Sequence, residues 1–97
     1  MNTEKLLALI IEKEGIEPQI RQAQEECAEL ISALSHFCRN RKGALDEVNE
    51  EIADVEILLV QLKRIFRNGD KVRQWKSRKL HKLACRLGVT YDGESFV

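Results

Sequence analysis

Apolar positions recur every three or four residues along most of the chain, and Gly15, Gly43, Gly69 and Gly88 divide that pattern into four stretches. Such spacing is the signature of amphipathic helices, and glycine past the last periodic residue is a common stop. The pattern predicts helices over 3–14, 18–39, 45–67 and 70–87. Thr3 is the expected N-cap of the first, and Pro18, the only proline, is expected to open the second. Asn68-Gly69 is expected to stop the third and Asp70 to cap the fourth. Alternating apolar and polar runs are absent, so no strand is predicted, and the tail over 89–97 is expected to be irregular. The fold class is therefore all-α, a four-helix bundle formed as one domain over 1–97.

At about 100° per residue, each long helix has one apolar stripe. In the second helix Ala23, Leu30, Leu34 and Phe37 share a sector, with Ile20, Cys27 and Ile31 beyond it. In the third, Val48, Val55, Leu59, Leu62 and Phe66 do the same. These residues are the expected core.

Acids border both stripes at matching places. Gln24-Glu25-Glu26-Cys27-Ala28-Glu29-Leu30 returns as Asn49-Glu50-Glu51-Ile52-Ala53-Asp54-Val55: an amide, two acids, an apolar residue, alanine, an acid and an aliphatic residue each time. Residues three apart lie on adjacent turns of one face, so Glu26 with Glu29 and Glu51 with Asp54 each form a convergent pair. One ExxE pair alone is commonly solvated surface. The duplicate, kept in the same relation to both stripes, directs two pairs at each other across antiparallel neighbours. Carboxylates crowded in that way repel unless a cation neutralises them. His36 and His81 follow neither pair at the spacing used by di-iron bundles, so the expected ligands are oxygen alone and the expected ion is Mg²⁺, with Mn²⁺ as substitute.

The charge balance adds a polyanionic ligand to this picture. Net charge is zero, but Met1 to Leu62 holds thirteen acids and six bases, whereas Lys63 to Arg86 holds ten bases and one acid. Lys76, Lys79 and Lys82 fall on one face of the fourth helix and suit phosphate oxygens, or a solvated surface. Gln22 and Gln19 precede Glu26 by about one and two turns and could reach a nucleobase edge. Cys27, Cys38 and Cys85 have no CxxC spacing and sit mostly at apolar helical positions, so they are expected to be buried reduced thiols. No apolar run approaches the 18 or so residues of a membrane span, no signal pattern opens the chain, and a cytoplasmic location is expected.

With Glu26-Cys27-Ala28-Glu29 and Glu51-Ile52-Ala53-Asp54 in place, the chain resembles the MazG-like, all-α nucleoside triphosphate pyrophosphohydrolases, whose motif is ExxE followed after a gap by ExxD. Glu25 matches an acid that often precedes that motif, and Lys79-Leu80-His81-Lys82-Leu83 is similar to the family's final-helix KFxRR. The resemblance spans about 19–87. It departs at Lys82, where arginine is usual, and at Ser77, where many members have asparagine. It implies Mg²⁺-dependent hydrolysis of a (deoxy)nucleoside triphosphate to the monophosphate and pyrophosphate, a house-cleaning reaction of the nucleotide pool. Glu26, Glu29, Glu51 and Asp54 would bind metal and act in catalysis. Lys79, Lys82, Lys76 and Gln22 would bind substrate, and Glu25 and Glu50 would support the ligands, serve as the water's base or lie on plain surface.

Readings of other classes remain open beside this one: a basic nucleic-acid module, opposed by the acidic body; a structural helical adaptor; and a family member that binds nucleotide without cleaving it. Neither nucleic acid nor a membrane is an expected partner. The apolar circumference at Ile57-Leu58-Leu59-Val60 predicts a homodimer or homotetramer.

Overall fold

The computed structural model describes residues 1–93 and is all-α, with four helices: α1 (Thr3–Glu14), α2 (Ile16–Cys38), α3 (Ala44–Phe66) and α4 (Gly69–Leu87). Residues 89–93 are irregular as expected, and the remainder of the predicted tail lies outside the described residues. The chain divides into two compact units, Met1–Phe66 and a second that begins at Arg67. No helix of the described residues is long and apolar enough to cross a membrane.

Several helix ends differ from the sequence expectation, each for a local reason. Asn2, not Thr3, caps α1: its Oδ1 accepts the Lys5 N–H at 2.8 Å. The helix stops at Gly15, whose φ of 95° is open to glycine and strained for other residues. Pro18 is the third residue of α2 and not its first, where its missing N–H still falls in the turn that lacks intrahelical partners. Asn68-Gly69 does not end α3, since Arg67 already leaves the helix with φ 51° and Gly69 begins α4. Asp70 does not cap α4; Asn68 holds that position without a side-chain bond, and Asp70 pairs instead with Arg73 at 3.2 Å. The far end of α4 closes as predicted. Gly88 adopts φ 70°, and the Val89 N–H reaches back to the Ala84 carbonyl at 3.0 Å.

In the first unit α2 and α3 form an antiparallel hairpin, as shown by the meeting of Glu29 with Glu51, Glu26 with Asp54 and His36 with Glu47. Ala23 and Ala33 on α2 and Ala44, Val48 and Leu58 on α3 are buried. Small residues on the inner face let the two backbones approach. α1 is tied to α3 by Gln61, whose amide donates to the Leu7 carbonyl at 3.0 Å.

The expected core is only half right. Leu34, Phe37, Leu59 and Phe66 remain 47%, 51%, 48% and 56% exposed, because they flank the hairpin contact and no helix of the first unit covers that flank. Gln19 and Gln61 are buried in their stead, Gln61 to 1%. The three cysteines are free, as expected, but exposed rather than buried.

Candidate metal centre

The centre is set by helix periodicity on both sides of the hairpin. On α2, Glu26 and Glu29 lie between buried Ala23 and buried Ala33; on α3, Glu51 and Asp54 lie between buried Val48 and buried Leu58. Packing above and below fixes the level at which the acids meet. One oxygen from each of Glu26, Glu29, Glu51 and Asp54 falls within 4.8 Å of the others. Glu29 is exposed, and the other three are half-buried.

Partners within the protein satisfy only part of this cluster. The Gln22 amide donates to Glu26 Oε1 at 2.7 Å. Glu26 Oε2 and Glu51 Oε2 are shut off from solvent, and no N–H or hydroxyl of the described residues reaches them. Glu51 is pushed up to about 7, first by loss of water around the carboxyl, then by the Glu29 charge and a hydrogen bond shared with it, and then by Asp54 and Glu26. Asp54 is raised for the same reasons, burial first and then the charge and hydrogen bond of Glu26. Like charges have been brought together without a cation from the described residues.

A solvated acid pair on an outer helix face would keep its water and its ordinary pKa. These four carboxylates, two with sequestered and unpartnered oxygens, are a donor set of hard oxygens that could hold a divalent cation of the Mg²⁺ or Mn²⁺ type. Neither histidine joins them. His36 Nδ1 sits 2.9 and 3.1 Å from the Glu47 oxygens near the hairpin turn, and His81 Nδ1 sits 2.8 Å from the Ser77 carbonyl.

The remaining residues singled out in the sequence are placed as follows. Glu25 and Glu50 are exposed, one position before each acid pair. Gln22, expected at a base edge, is engaged with Glu26 and orients that carboxylate. Gln19 is buried. Lys76, Lys79 and Lys82 lie on α4 in the second unit, where Lys79, Lys82 and Arg86 border an open groove with Leu83 and Cys85. Sequence reasoning missed the His36–Glu47 contact and the buried Gln61; their helix-wheel positions beside the inner face were the available signal.

Comparison with protein-family models, with curated proteins and with solved structures gives no match to this chain. What the fold and the cluster define is thus a class: an all-α protein whose helical hairpin gathers four carboxylates.

Proposed function

We propose that the protein is a MazG-like pyrophosphohydrolase that cleaves a nucleoside triphosphate to the monophosphate and pyrophosphate, acting on the cytoplasmic nucleotide pool and working as a homo-oligomer. The observation that carries this reading is the convergence of Glu26, Glu29, Glu51 and Asp54 within 4.8 Å, with buried oxygens on Glu26 and Glu51 that no N–H or hydroxyl of the described residues reaches. Those four residues would hold the ion. Mg²⁺, when bound, supplies positive charge against the phosphate oxygens and Lewis acidity toward water.

The chain's own groups do the rest. Gln22 fixes one oxygen of Glu26 and leaves the other for the ion. Glu25 and Glu50, exposed one position before each pair, are in this reading the candidates to support the ligands, or for one of them to accept the proton of the attacking water. Lys79, Lys82 and Lys76 supply point charges for phosphate oxygens. Water attacks the inner phosphorus, the bond from that phosphorus to the bridging oxygen breaks, and pyrophosphate leaves with the electron pair.

The test is product analysis with a panel of ribo- and deoxynucleoside triphosphates, in Mg²⁺ and in chelator, resolved by anion exchange. The expected products are monophosphate and pyrophosphate in Mg²⁺ alone. Diphosphate with orthophosphate, or nucleotide binding without turnover across the panel, overturns the reading.

A further inference from the structure

α4 carries a cationic row with an aromatic ring at its centre. At about 100° per residue, Lys71, Arg78, Lys79, Lys82 and Arg86 all fall within about 60° of Trp75, and buried Ala84 lies on the opposite side of the helix. The five cations are exposed and extend over about 22 Å of the helix. No acid interrupts them: Asp70, the one acid of α4, lies outside the row and is paired with Arg73 at 3.2 Å. Trp75 is the chain's only tryptophan and is 57% exposed. The Arg78 guanidinium lies over its ring, 5.1 Å from the centroid, and steadies the indole at the surface.

We propose that this row binds single-stranded nucleic acid, with the cations on the phosphates and an unpaired base stacked on Trp75. The acids that oppose such a partner in the sequence are segregated by the fold: thirteen lie in Met1–Phe66, whereas the unit that begins at Arg67 holds eight bases and three acids. Cations at helical spacing meet successive phosphates of a strand, and an exposed aromatic ring among them is a stacking platform that accepts any base. Bases in a duplex are already stacked on one another, so the ring selects an open strand. A membrane-surface helix gathers its apolar side chains on one face and its charges on the other, but here the indole stands inside the charged row. An acidic peptide would pair with the cations and leave the ring unused. Beside the row, the groove of Lys79, Lys82, Leu83, Cys85 and Arg86 gives a neighbouring nucleotide an apolar floor with a cationic rim.

Lys79 and Lys82 also serve the triphosphate in the proposed reaction, but Lys71, Trp75 and Arg78 have no part in it, so strand binding is measured in chelator and stands apart from hydrolysis. As the only tryptophan, Trp75 reports on its own surroundings. Its emission in the full chain should be quenched by oligothymidylate or oligouridylate and left unchanged by a duplex of the same length. Followed by anisotropy of a labelled strand, affinity should fall roughly a hundredfold between 50 and 200 mM salt, as five phosphate contacts require. Trp75→Ala should weaken binding about tenfold and Trp75→Phe much less, whereas Lys71→Gln should lessen the salt dependence. No binding of either strand, equal quenching by the duplex, or a Trp75→Ala variant as tight as the wild type would overturn the proposal. Polyglutamate bound as tightly as the strand would overturn it in favour of charge alone, and phosphatidylserine vesicles bound in place of the strand would overturn it in favour of a membrane surface.

Discussion

Glu29 and Glu51 meet across the hairpin as two carboxyls, the first exposed and the second half-buried, and Glu51 is pushed up to about 7. Burial is the larger cause and the Glu29 charge the next. A cation that binds here must displace the proton of Glu51, so its affinity rises with pH through neutrality.

The same pair makes the metal-free fold sensitive to pH, in a direction opposite to that of a salt-bridged acid. A carboxyl whose folded pKa lies above its ordinary 4.5 stabilises the protein fully below pH 4.5 and loses that contribution as pH climbs through about 7. Glu51→Gln has no such proton to lose. In chelator, the melting temperature of the wild type should fall relative to Glu51→Gln between pH 4.5 and 7, and the variant should be the more stable above. Parallel pH curves would show that the cluster holds no shared proton.

Mg²⁺ should reverse the penalty. At free ion a hundredfold above the dissociation constant the wild type should gain about 2.7 kcal/mol. Asp54→Asn and Glu26→Gln should lose most of that gain while keeping their helicity. Calorimetric melts with and without Mg²⁺ measure it, and an unchanged wild-type transition in saturating Mg²⁺ would count against an ion site.

Substrate binding and ion binding should separate at Lys79. Lys79→Ala should raise KM for the triphosphate and lower turnover, yet leave the Mg²⁺-dependent rise in melting temperature as large as in the wild type. Loss of both together would remove the lysine from the phosphate role assigned to it. In water labelled with heavy oxygen, the label should appear in the monophosphate and not in pyrophosphate.

Gln61 tests the tie between α1 and α3. Truncation removes a buried bond to the Leu7 carbonyl and leaves a cavity, so Gln61→Ala should cost about 3 kcal/mol in urea unfolding. Gln61→Met keeps the volume and deletes the buried Oε1 that has no partner, so it should cost less than alanine. An alanine variant as stable as the wild type would mean that α1 is held elsewhere.

The four helices were legible within about two residues because Gly15, Gly43 and Gly88 each occupy a positive-φ turn that periodicity alone does not locate. The caps at Asn2 and Asn68 were not, since Thr3 and Asp70 carry the same capping chemistry one or two positions later. The acid cluster was readable because its spacing repeats on both helices. The core was readable at Ala23 and Val48 and misread at Leu34 and Leu59, because a helical wheel shows which side is apolar but not how many neighbours cover it. Buried amides such as Gln19 and Gln61 resemble surface residues in any composition-based reading, and only packing reveals them.

The turn over 39–43 joins the two halves of the acid cluster, and the halves lie only 25 positions apart in the chain. Closing so short a loop costs little entropy, and helical hairpins of this kind rank among the faster structures to form. Burial of Ala23, Ala33, Val48 and Leu58 on either side then brings the carboxylates together by force of their neighbours, against their own repulsion. The cluster is therefore assembled by packing alone. A cation that binds here would wait on the departure of a proton from Glu51 and not on a rearrangement of the backbone.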